Sequence, residues 1–189
     1  MEESMKNQPG SGAAWVAAVG TVMSAVGSTP FKKIDKELLS ALNLWGNVLQ
    51  AAGNAIQADQ EPEITLSKIG NQIQATGNVT VVSGMVIDFE KETQEKLIIT
   101  GNWFQATGGL MAVADDIENN PPGEQLDPNV GLDIIGNLLQ SIGNSMQAIG
   151  GIEELKGNEQ TGESIDVLGS WIQAVGSVLT ALAATPQKA

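Results

Sequence analysis

The phrase GNVLQAAGNAIQA, residues 46–58, is the feature that most restricts how this chain folds. Gly46 and Gly53 stand seven residues apart, each followed by asparagine and then by a Gln-Ala pair. Seven residues is about two turns of α-helix, so both glycines fall on one face. An interior glycine weakens a helix by about 0.5–1 kcal/mol relative to alanine. A chain that repeats such glycines needs a contact that offsets the loss. A helix face without Cβ atoms lets another backbone come close, which makes the glycines natural contact points.

Versions of the phrase recur. Aligned on the first glycine, six units begin at Ala13, Gly46, Gly70, Gly101, Gly136 and Gly169. The second glycines of the last four are Gly77, Gly108, Gly143 and Gly176. The end units, AAWVAAVGTVMSAVG and GSWIQAVGSVLTALA, lose most of the amides and gain Ala and Val. End units of an array make different contacts from central ones. Each unit reads as a helix, with apolar residues three, six and ten positions after its anchor. On that wheel Leu49 and Ile56 belong to a core stripe, and the amides lie opposite it. VVSG and its neighbours, 78–84, alternate like a strand, but fit a β-branched patch within a helix or its frayed end.

Punctuation sets the boundaries. Ser28-Thr29-Pro30 stops the first helix and caps the second. DQEPE, 59–63, ENNPPGEQLDPN, 118–129, and KGNEQTGES, 156–164, read as connections. DFEKETQEK, 88–96, joins the third helix to the fourth without Gly or Pro. The expected helices are 12–28, 33–58, 63–87, 92–117, 129–154 and 162–184. Short connections favour antiparallel neighbours. The expectation is an all-α fold of about six antiparallel helices, as a helical bundle or a short α-solenoid. It divides into a polar tail, 1–11, a single six-helix domain, 12–185, and a short tail, 186–189.

Absent residues exclude chemistry. The chain has no Cys, His, Arg or Tyr, which removes thiolate and imidazole catalysis, zinc fingers and arginine forks. A formal charge of −13 repels nucleic acid and anionic membrane surfaces, so neither is expected as a main partner. Charges crowd toward the helix ends, leaving uncharged windows at 7–31, 38–58, 69–87, 97–114, 134–152 and 167–187. Such windows span roughly 27–37 Å as helix. They suit a buried bundle interior or a bilayer. Unpaired amides are costly in hydrocarbon, so the expectation is a soluble bundle, with a stable membrane span disfavoured.

The packing residues expected from the repeat are Gly46, Gly53, Gly70, Gly77, Gly101, Gly108, Gly136, Gly143, Gly169 and Gly176. A candidate interaction stripe is formed by Asn47, Gln50, Asn54 and Gln57, by Asn71, Gln74 and Asn78, and by Asn137, Gln140, Asn144 and Gln147. DPNVGLD, 127–133, partly matches a calcium loop, but its Gly is one position early and its twelfth position is Leu138. An N-cap with Pro128 in the first turn is the better reading. Asp115, Asp116 and Glu118 read as a solvated helix end without a partner carboxylate. Trp15, Trp103 and Trp171 share one repeat position and read as packing between helices.

AAWVAAVGTVMSAVGSTP, the internal GNxLQAxGNxxQA units and GSWIQAVGSVLTAL together resemble short repetitive helical proteins of unknown function from spore-forming Gram-positive, Bacillus-type bacteria. The resemblance implies the fold and source but no activity. The expected role is non-enzymatic, without catalytic residues, cofactor or metal. It is a structural or protein-interaction role whose partner is protein, including a second copy of the chain. A membrane-active bundle is the first alternative and a carboxylate-dependent enzyme the second. An acidic, polar N-terminus places the chain in the cytoplasm, with spore or cell association open.

Overall fold

The computed structural model describes residues 10–121, 123 and 125–186. They form α1 (Gly10–Ser28), α2 (Lys36–Gln60), α3 (Leu66–Val86), α4 (Lys91–Asn119), α5 (Pro128–Leu155) and α6 (Glu159–Ala183), with no strand among the described residues. Most ends fall within three residues of the sequence expectation. The stretch 78–84 is helical throughout, inside α3. Two expectations about ends need correction. The cap of α2 is Asp35, whose carboxylate accepts from the Glu37 N–H at 2.7 Å, not Ser28 or Thr29. The connection expected at 156–164 is only Lys156–Asn158, because Gly157 at φ 88 turns the chain within three residues. The N-terminal tail falls almost wholly outside the described residues, as does the C-terminal tail beyond Pro186.

Each helix packs on its neighbours in sequence, and α1 packs on α6. The six helices therefore close into a ring around one axis, which makes the fold a bundle and not an open solenoid. Three antiparallel hairpins, α1–α2, α3–α4 and α5–α6, are its tightest units.

The anchor glycines hold each hairpin together. A Cβ on Gly143 would lie 2.5 Å from the Gly169 carbonyl oxygen, and one on Gly169 would lie 2.7 Å from that of Gly143. Gly77 and Gly101 face each other in the same reciprocal way at 2.6 and 2.5 Å, and Gly20 and Gly46 at 2.6 Å in both directions. Gly136 and Gly176 repeat the arrangement at 2.8 and 2.5 Å. Gly53 meets Ala13 of α1, and Gly70 meets Gly108 of α4. No real Cβ fits such gaps against backbone. Reciprocal Cα–H···O contacts are the interaction this geometry permits.

The seam between α1 and α6 uses small residues too: Ala14, Ala18 and Ala181 are buried together. Two indoles stitch its outer edge. Trp15 Nε1 donates to Thr185 Oγ1 and Trp171 Nε1 to Thr29 Oγ1, each at 3.0 Å. Trp15, Trp103 and Trp171 are each about two-fifths exposed, so they lie at the outer wall, with Trp15 and Trp171 bridging α1 and α6 there.

Gly143→Leu forces α5 from α6 and should lower stability by about 1–3 kcal/mol or more. Gly12, with nothing within 4 Å of a built Cβ, is the control: Gly12→Ala should leave the melting temperature unchanged or raise it. Thermal unfolding followed by circular dichroism separates the two. An unchanged midpoint for Gly143→Leu would remove the close-approach argument.

Candidate functional site

The amides point inward. Asn47, Gln50, Asn54, Gln74, Asn78, Asn137, Gln140 and Asn144 are all buried, joined by Asn102, Gln105, Ser170, Gln173 and Ser177. No large apolar side chain is fully buried; the largest that are include Asn78, Asn144 and Thr21. Ile56, expected in the core, is exposed, and Leu49 is only half-buried. The physical reason is width. Hairpins drawn together at glycine leave an interior too narrow for rows of Leu and Ile, and wide enough for amides that bond to each other. The candidate stripe is thus an internal lining, not an outward recognition surface.

That lining divides into two layers. In the closed layer, Gln173 Nε2 donates to Gln50 Oε1 at 2.8 Å and to Gln105 Oε1 at 3.3 Å. These residues come from α6, α2 and α4, which are not neighbours in the ring, so their amides meet on its axis. All three stand four residues after an anchor glycine. Gln147 Nε2 donates to Gln173 Oε1 at 2.9 Å, and Gln50 Nε2 to Ser24 Oγ at 3.1 Å. Asn47 and Asn78 bond back to the carbonyls of Asn43 and Gln74, each at 3.0 Å. Gln105 and Gln173 were missing from the stripe expected from sequence, although GNWFQ and GSWIQ carry the same spacing.

The open layer is a cavity of about 380 Å³ at the end where α1, α3 and α5 begin. All six helices line it. Asn54, Gln57, Asn71, Gln74, Asn137 and Gln140 supply carboxamides, and Ser177 and Thr180 hydroxyls. Its space has a sequence cause. Five of six units carry Gln four residues after the anchor; the first carries Ala17. Gln74 and Gln140 line the cavity opposite that alanine.

A chain organised this way can be placed by its sequence relatives. A family profile matches residues 11–181, which is all six helices. The chain belongs to the family of unknown function DUF6944. No curated protein and no solved structure matches the chain. Membership of DUF6944 therefore carries the all-helical fold and assigns no activity.

Three carboxyls line the DUF6944 cavity: Asp116 from α4, Asp133 from α5, and Glu61 just after α2, which accepts from Ser67 Oγ at 3.0 Å. Asp116 belongs to the cluster expected to be solvated and without a partner carboxylate; the ring supplies Asp133 as that partner. Burial, then the charge of Asp115, pushes Asp116 up to about 6. Burial, then the charge of Asp116, pushes Asp133 up to about 7. Asp116 Oδ2 is buried and no donor satisfies it; a hydrogen bond between the two carboxyls requires a proton on one of them, which is the direction in which the pair is shifted. Asp115 instead caps α3, accepting from the Leu66 N–H at 3.0 Å. Asp127 caps α5, accepting from the Asn129 N–H at 2.7 Å, with Pro128 in the first turn. At the opposite end of the ring burial also raises Asp166, to about 7.

The sign of the linkage follows. Asp133 keeps its proton in the fold to about 7 but loses it in the unfolded chain near about 3.9. Folding therefore takes up protons between those values, and stability falls as pH rises from about 4 to about 7. The melting temperature should be higher at pH 5 than at pH 8. Asp133→Asn should shrink that difference, leaving the part due to Asp116, Glu154 and Asp166. An equal difference in wild type and variant would contradict a proton held by the pair.

Proposed function

We propose that this chain is a non-enzymatic, membrane-embedded helical barrel, its apolar wall in lipid and its amides inside. The observation that supports this reading is the outer wall. Every helix presents large apolar side chains outward: Val19 and Val22 on α1, Trp45 and Ile56 on α2, Val79 on α3, Phe104 and Leu110 on α4, Ile142 on α5 and Val175 on α6. These positions lie within the uncharged windows. A soluble domain of this size buries its large apolar residues. Here they cover the outside of the ring.

Outward hydroxyls suit the same surroundings. Thr76, Thr80, Ser83 and Thr107 each donate to the carbonyl four residues earlier at 2.8 Å. Each is satisfied without water, as a lipid-facing hydroxyl must be. Among the described residues, α1 and α6 alone are long and apolar enough, by length and composition, to cross a membrane. In α2 and α5 the residues that lower the mean hydropathy are the inward glycines and amides. The objection that amides are costly in hydrocarbon applies to outward amides. Within the uncharged windows of the described residues, Gln72, on α3, is the exposed exception.

Self-association through the same wall is the competing reading. A second copy covers one side of a ring, and the apolar wall runs round all of it. That favours lipid over a protein partner.

Flotation with liposomes tests this. The full-length protein should rise with lipid vesicles on a density gradient and resist extraction by carbonate. Ile142→Asp with Val175→Asp should weaken both without altering helix content in detergent. A protein that stays at the bottom of the gradient, as a monodisperse species by light scattering, would refute the bilayer reading. A defined soluble oligomer would favour self-association instead.

A further inference from the structure

We propose that the cavity between Ala17 and the Asp116–Asp133 pair is a binding site for a small organic ammonium ion. It stands apart from the bilayer reading, because the mouth lies at the helix ends and not on the apolar wall.

Gln74 points to a ligand. It is 5% exposed, it lines the cavity, and its carboxamide has no hydrogen-bond partner in the protein. Its backbone carbonyl is used by Asn78, but its side chain is not. In the closed layer the equivalent amides of Gln50 and Gln105 both accept from Gln173, whereas the Gln74 carboxamide faces the cavity. Gln74 is held open toward a space that a bound molecule fills.

The lining chooses the chemistry. Three carboxyls, Glu61, Asp116 and Asp133, line the cavity, no lysine does, and the chain has no arginine. Carboxamide oxygens and carboxylates accept from N–H donors, so an ammonium group is matched at both levels. Among the described residues no three carboxylates are placed to hold one metal ion, which argues against a metal cation. A volume of about 380 Å³ takes a molecule of a few heavy atoms with some water. An ammonium arriving between Asp116 and Asp133 displaces the pair's proton to solvent, leaving two carboxylates flanking one cation.

Ala17→Gln is the variant that decides. It restores the glutamine present in the other five units and fills the cavity from α1. Putrescine titrated into the full-length protein by calorimetry, in whichever of buffer or detergent keeps it monodisperse, should bind one to one. Uncharged 1,4-butanediol, of the same shape, should bind at least about tenfold more weakly. Ala17→Gln, with its melting temperature unchanged or raised, should lose binding by about tenfold or more. Asp133→Asn should do so as well. No putrescine binding up to about 10 mM would overturn the proposal. So would undiminished binding by folded Ala17→Gln, which would place the cation on the acidic surface, or equal binding of the diol.

Discussion

Everything in this ring depends on backbone meeting backbone at glycine. Where Gly143 faces Gly169, or Gly77 faces Gly101, the partner carbonyl lies where a Cβ would be. That contact sets the spacing of each hairpin. Close hairpins make a narrow interior, with room for few large apolar side chains such as Leu39 and Ile99. Amides fill it, because they are slim, and because each can satisfy another where water is excluded. Many of the large apolar side chains turn to the outside, and only a few, such as Leu39, Val81, Ile99 and Val113, are buried. A single local choice, glycine every seventh residue, thus decides which face of every helix is polar.

This order of events inverts the usual arrangement. In water, burying apolar area supplies most of the folding free energy. Here the buried surface is mostly glycine, alanine, serine and amide, and the apolar area faces out. Small-residue contacts and interhelical amide bonds hold helices together in hydrocarbon, where apolar burial contributes nothing. The charged ends and the Asp pair at the cavity mouth mark where the uncharged windows stop.

The helices and their glycine contacts were legible in the sequence. Periodicity placed all six helices, and the heptad spacing identified Gly46, Gly77, Gly101, Gly143, Gly169 and Gly176 as contact points. Direction was not legible. A helical wheel shows that Gln50 and Ile56 lie on different sides, and says nothing about which side turns inward. The expectation that Ile56 is core follows from the rule that an apolar stripe turns inward, and in the ring Ile56 is exposed. Pairings between distant units were also hidden: Gln50, Gln105 and Gln173 meet because the ring closes, and Asp116 finds Asp133 for the same reason. One signal was visible and unread. Ala17 stands where five other units carry glutamine, and a missing side chain in a close-packed layer leaves a hole.

Which face of each helix turns inward is the claim on which the rest stands. The chain has no cysteine, so single cysteines can be introduced and labelled without background. Nitroxides at Ile142→Cys and Val175→Cys, in protein reconstituted into vesicles, should be mobile. They should collide freely with oxygen and little with a water-soluble nickel chelate. Nitroxides at Asn144→Cys and Ser177→Cys should be immobilised and shielded from oxygen. Immobile labels at 142 and 175, with mobile, water-exposed labels at 144 and 177, would mean that the apolar stripe is the core, and the account would be wrong.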